Sequence, residues 1–336
     1  MPAKKLHHGG NRDWAKAQFS FTGEQWLDLS TGINAAPYPV PPLSDDGFNR
    51  LPDPSDSVRL KKAASAYYQA PSPAHLAIAP GSQALIQWLP RLRQKSKVAV
   101  IAPTYQEHHH AWSLAGHEVR EFESLATARE SSPDVIVIVH PNNPTGTLTE
   151  RKLLLEIAGE LAGRGGWLVL DEAFGDVTPD DCLDDAVDHP GLVILRSFGK
   201  FFGLAGVRLG ICITNTTLAS MLETAMGPWI VPGPTLEIAT AAYGDTAWIE
   251  ATRRQIAKDA IRLDNLLTKA SCKIVGGTDL FRLAETDDAS KLLRHLGDDG
   301  IMIRPFEYRL DWLRFGIPSN ESDWLRLQKS LLRFYK

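Results

Sequence analysis

Short apolar runs, continuous rather than alternating, recur through the middle of the chain: Val98–Pro103, Val135–His140, Trp167–Leu170, Leu192–Leu195 and Leu209–Ile213. A strand with one wet face alternates apolar and polar residues, whereas a strand covered on both faces does not. The runs therefore predict strands of a mainly parallel sheet. Helical patterns such as Arg151–Ala162 stand between several of them and supply the covering layers of a wound α/β sheet. Each run ends in small or polar residues, and in open α/β sheets ligands gather at those ends.

After Pro228 the pattern changes. Pro232–Pro234 interrupts the chain, and a long helical stretch is expected from about Thr235 to Ala270. Strand-like segments follow around Lys273–Val275, Leu280–Leu283, Ile301–Arg304 and Trp312–Phe315. The 336 residues suffice for a large and a smaller domain. The expected division is a large domain over residues 43–232 and a smaller α+β domain over 233–336. An N-terminal arm, residues 1–42, joins the smaller domain.

Composition removes several classes of partner. With 36 basic and 40 acidic residues, a net charge of −4 gives no electrostatic drive toward nucleic acid or an anionic membrane. Cys182, Cys212 and Cys272 are odd in number and lack CxxC spacing, which argues against disulfide and zinc frameworks and for a reducing, cytoplasmic setting. Met1–Gly10 has no apolar run of the signal-peptide kind, and no stretch approaches the ~20 apolar residues of a membrane span. His108-His109-His110 reads as a solvated helix face rather than a metal site, because consecutive residues point different ways on a helix. No metal site is expected.

The chemistry lies where the strands end. Pro80-Gly81-Ser82-Gln83 precedes a helical segment, a place where backbone N–H groups favour a phosphate. Pro103-Thr104-Tyr105 puts an aromatic ring after a strand, and Pro141-Asn142-Asn143-Pro144-Thr145-Gly146 makes a rigid turn after another. Asp171, in Asp171-Glu172-Ala173-Phe174, is a carboxylate at a buried strand end and calls for a cation or a metal. In the segment from Ser197 to Gly210, Lys200 stands among aromatics and glycines, an environment suited to Schiff-base chemistry, while Arg208 and Ser197 suit a phosphate.

Together these segments resemble the fold-type I aminotransferase superfamily of class I/II, whose members use pyridoxal 5′-phosphate (PLP). The resemblance implies that Lys200 carries the cofactor as a Schiff base and that Asp171 pairs with its pyridine nitrogen. It implies further that Asn143 bonds the ring hydroxyl and Tyr105 stacks on the ring. Ser82, Gln83, Ser197 and Arg208 would hold the phosphate. Arg314, in Asp311-Trp312-Leu313-Arg314-Phe315-Gly316, matches the arginine that grips a substrate α-carboxylate. The superfamily usually places its sites at a two-fold interface, so a homodimer is expected.

The arm narrows the branch. His7-His8-Gly9-Gly10-Asn11 and the later Ile33-Asn34 are similar to the L-threonine-O-3-phosphate decarboxylases of cobalamin biosynthesis, as are Pro228-Trp229 and Ile303-Arg304. The implied substrate is a small phosphorylated amino acid, with Arg304 and the loop bearing His8 and Gly9 near its phosphate, Arg314 on its carboxylate, and Asn34 also in the substrate site. Phe174 stands where aminotransferases usually have Tyr. Leu51 in Leu51-Pro52-Asp53-Pro54 replaces a Tyr usual in both branches. The alternatives are a histidinol-phosphate-type aminotransferase and a binding or scaffold protein of the cobalamin-loop assembly, in which a partner enzyme is also possible.

Overall fold

The computed structural model describes residues 9–334. The first strand, β1 (Leu27–Asp28), belongs to a smaller unit, and the next seven build one sheet. These are β2 (Leu76–Ala79), β3 (Lys97–Ile101), β4 (Glu118–Phe122), β5 (Val135–Val139), β6 (Trp167–Asp171), β7 (Leu192–Ser197) and β8 (Gly210–Thr214). They lie in the order β2-β8-β7-β6-β5-β3-β4, with β8 antiparallel to both neighbours and the other pairs parallel. Every residue of β5 and β7 is buried, the reason their sequences do not alternate.

Two strands lie outside the apolar runs. β4 forms a sheet edge on which Glu118, Arg120 and Glu121 are exposed, and a charged edge resists pairing with another chain. The other, β2, is a short Leu-Ala-Ile-Ala segment at the opposite edge. From β3 the chain winds outward to β4, and from β5 it winds the other way through β6 to β7. The order therefore reverses between β3 and β5, which leaves a crevice at their carboxyl ends.

The larger unit comprises Tyr38–Asn143 and Thr147–Ile249. The smaller comprises the described residues up to Pro37, the segment Pro144–Gly146, and the described residues from Glu250 on. These limits differ from those expected at 42 and 232. The Tyr38 N–H donates to the Phe202 carbonyl at 2.9 Å and its ring meets Trp248 at 5.1 Å, tying the chain from residue 38 into the larger unit. The Gly233–Gly244 helix packs on the Pro54–Tyr68 helix, where the Tyr68 and Tyr243 hydroxyls meet at 3.1 Å. Nor is the stretch from Thr235 to Ala270 one helix. Asp245 leaves helical geometry and accepts from the Trp248 N–H at 3.0 Å, which starts a new helix, Thr246–Lys269.

In the smaller unit, β9 (Lys273–Thr278), β10 (Phe281–Glu285), β12 (Arg304–Phe306) and β13 (Arg309–Gly316) form an antiparallel sheet, while β1 pairs in parallel with β11 (Ile301–Met302). The helices Ala289–Asp298 and Glu321–Phe334 bury Leu292, Leu296 and Leu327 against Leu263 and Phe315. Gly146 is confined by its neighbours: φ is +71°, and a Cβ there would stand 1.8 Å from the Gly277 carbonyl oxygen. No helix of the described residues is long and apolar enough to cross a membrane.

Candidate active site

β6 delivers Asp171 to the carboxyl end of the sheet, where it is 3% exposed. Its Oδ2 lies 2.7 Å from His108 Nε2, and its Oδ1 accepts from the Ala173 N–H at 3.1 Å. A buried carboxylate needs such partners. His108 is only 1% exposed, so the expectation of a solvated histidine face fails at its first member. The Glu107–Leu114 helix buries His108, Ala111 and Trp112, spaced i, i+3, i+4. That apolar pair was the signal for an inward histidine; His109 and His110 are half-buried.

β7 runs directly into the helical turn Phe198–Phe201, which holds Lys200. Phe198, Phe201 and Phe202 are buried, and Phe198 stacks on Phe202 at 4.6 Å. Lys200 is half-buried with its Nζ 5.4 Å from the centroid of the Phe174 ring. The sequence therefore fixes the lysine by flanking it with rings that fill the core.

Register brings the next group together. Gly210 pairs with Ser197 on β7 and with Ala79 on β2, so the ends of three strands meet. A Cβ on Gly210 would fall 2.3 Å from the Ser82 nitrogen, and one on Gly81 would fall 2.4 Å from Arg208 Nη2. Both glycines are required for this approach, and Gly81 also has φ +91°. Arg208 has left-handed backbone, φ +57°, and its Nη1 donates to the Ala205 carbonyl at 2.9 Å. Arg208, Ser82 and Ser197 thus line a cradle that a methyl group would close. A cationic fork with hydroxyl and N–H donors fits a phosphate.

The loops after β3 and β5 flank the crevice. Thr104 Oγ1 donates to Asn142 Oδ1 at 2.7 Å, and Asn142 Nδ2 donates to the Pro103 carbonyl at 3.0 Å. Asn142 thus ties the two loops, and the half-buried Asn143 follows it. Tyr105 donates to Gln83 Oε1 at 3.2 Å, and Gln83 Nε2 donates to Glu107 Oε2 at 2.9 Å. The Gln83 side chain, on a residue expected near the phosphate, thus bridges Tyr105 and Glu107.

Beneath Asp171, the side chains of Glu172, Cys182 and Asp184 converge within 4.8 Å of one another, and a guanidinium rather than a metal stands among them. Arg196 Nη1 donates to Glu172 Oε2 at 3.0 Å and to Cys182 Sγ at 3.2 Å. Burial pushes Glu172 up to about 8 and Asp184 up to about 6.

The remaining expected residues belong to the smaller unit. Arg304 and Arg314 are direct cross-strand partners of β12 and β13, which sets two cations side by side on one face. Arg314 is buried, and its Nη2 donates to the Ser30 carbonyl at 2.9 Å. The arm reaches the same serine: the Gly10 N–H donates to Ser30 Oγ at 2.7 Å, and a Cβ on Gly9 would lie 2.3 Å from the Ser30 carbonyl oxygen. Asn34 is buried, with its Oδ1 accepting from the Ala36 N–H at 3.0 Å. His8 lies outside the described residues.

The comparisons agree with this geometry. The family model for aminotransferase class I and II matches residues 14–327. The chain is 41% identical to the threonine-phosphate decarboxylase of Pseudomonas aeruginosa over 98% of each chain. It is 38% identical to that of a Sinorhizobium species over 97% of each. The crystal structure of the histidinol-phosphate aminotransferase from Clostridium acetobutylicum superposes with a TM-score of 0.81 at 22% identity, covering 92% of this chain and 98% of that one, and shows the common fold. With its fold-type I α/β sheet, its strand-end lysine and carboxylate, and a family match over most of its length, the chain belongs to the aminotransferase class I and II family.

Proposed function

We propose that the chain uses PLP to decarboxylate L-threonine O-3-phosphate to (R)-1-amino-2-propanol O-2-phosphate and CO2. The near-full-length similarity to two threonine-phosphate decarboxylases carries this reading. Bound PLP supplies the electron sink for the pair released when a bond to the substrate Cα breaks.

The protein's own part follows from its residues. Lys200 would hold the cofactor's aldehyde carbon, and its Nζ, once released, is the group available to return a proton to Cα. Asp171, oriented by His108, would keep the pyridine nitrogen protonated. Ser82, Ser197 and Arg208 would hold the phosphate of PLP in the glycine cradle. Asn143 and Tyr105 would meet the ring. Arg314 would take the substrate carboxylate and Arg304 its phosphate, with Gly9 and Asn34 from the arm, since paired guanidinium groups suit a substrate bearing two anions. Gripping the remote phosphate would orient the carboxylate for departure.

The test follows CO2 and amine release from L-threonine O-3-phosphate and from L-threonine. The phosphorylated substrate should react at least about a hundredfold faster, because L-threonine lacks the remote phosphate whose binding orients the reacting bond. In Arg304→Gln that preference should fall by about tenfold or more. Transamination of histidinol phosphate with 2-oxoglutarate, without CO2 release from threonine phosphate, would reject the decarboxylase.

A further inference from the structure

The Arg196 cluster takes no part in holding cofactor or substrate, yet it backs both strand ends that carry the proposed machinery. Asp171 pairs with Leu195 across β6 and β7, and the Glu172 N–H donates to the Leu195 carbonyl at 2.8 Å. One residue further, Glu172 and Arg196 project from the face opposite Asp171, while Ser197 returns to the Asp171 side and leads to Lys200. The link from Arg196 Nη1 to Glu172 Oε2 therefore pins the two strand ends from behind.

Other elements converge on the same guanidinium. Its Nη2 donates to Asp176 Oδ1 at 3.3 Å, and that carboxylate also accepts from the Tyr67 hydroxyl at 2.9 Å. Glu172 Oε1 accepts from the Leu183 N–H at 3.2 Å. Arg196 Cζ lies 4.4 Å from the centre of the Tyr68 ring. The hole for the cation is closely shaped: a Cβ on Gly175 would stand 2.2 Å from Arg196 Nη1 and 2.5 Å from Cys182 Sγ.

Stability alone is a poor account of this arrangement. Three carboxylates face one guanidinium at sites no more than 6% exposed, and apolar packing of equal volume often serves stability as well or better. A charged node does fix directions, which hydrophobic contacts do not. We propose that Arg196 is a positioning residue, setting the separation of Asp171 from Lys200 by clamping the ends of β6 and β7. The proposal rests on the reading that these two residues hold the cofactor. Displacement of the node should reach that pair through the strand backbone and leave the arginines of the smaller unit alone.

The test uses the holoenzyme with Gly175→Ala, whose added methyl must push the guanidinium aside, and with Arg196→Lys, which keeps a cation in the cluster. Leu161→Ala, a core substitution away from the site, serves as the stability control. Gly175→Ala should lose about tenfold in kcat with KM for threonine phosphate within about twofold, and the visible band of bound PLP should shift before substrate is added. Arg196→Lys should show a smaller change in the same direction. The proposal is overturned if both variants lose thermal stability as Leu161→Ala does but keep native kcat and an unshifted band. If Gly175→Ala does not fold, the band and kcat of Arg196→Lys decide. Failure of the underlying reading is separable, since wild-type protein would then bind no PLP at Lys200.

Discussion

At the scale of single residues, the pair His108–Asp171 shows how one side chain can decide what its neighbour does. Asp171 accepts from a backbone N–H and meets an imidazole in a buried site. Removing the imidazole leaves a buried acceptor short of a partner, a loss of about 1–3 kcal/mol. His108→Leu should therefore lower the thermal midpoint by several degrees and slow turnover. His109→Ala breaks only a half-exposed contact with Glu121 at 3.0 Å and should change both little. Equal effects in calorimetry and in steady-state rates would refute a special role for His108. The lysine and the aspartate were legible as letters, because strand-end chemistry is confined to few residue types. The histidine was not, because its meaning depends on which face of an eight-residue helix turns inward.

Among the elements, burial determined what could be read. Runs such as Val135–Val139 stand out because both faces are covered, whereas the charged edge strand Glu118–Phe122 has the composition of a loop. The register that pairs Gly210 with Ser197 and Ala79, and so opens the cradle, is a long-range fact with no local mark in the sequence. The same holds for the node joining β6, β7 and the turns after β6. Its Glu172 and Asp184 are raised by burial from ordinary values of 4.5 and 3.8 to about 8 and about 6. A carboxyl group raised on folding binds its proton more tightly in the folded state. Its contribution is full below the unfolded value and is lost as pH rises through the folded one. Thermal midpoints should therefore decline from about pH 5 toward pH 8, and Glu172→Gln, which cannot ionise, should flatten much of that decline. A wild-type midpoint that rises steadily over this range would contradict the assignment.

For the whole molecule, each of the two units carries its own part of the account. The larger brings Lys200, Asp171 and the glycine cradle to the ends of one sheet, and the smaller sets Arg304 beside Arg314. The family and the broad division into a wound sheet and an α+β unit were readable from apolar runs and strand-end motifs. The limits at Pro37 and Ile249 were not, since they depend on Tyr38 and the Gly233–Gly244 helix packing into the larger unit. Everything proposed for the chemistry depends on where the cofactor is bound. Purified holoprotein should be reduced with borohydride, digested and mapped by mass spectrometry. The account predicts a single pyridoxyl label on Lys200; a label on any other lysine would contradict it.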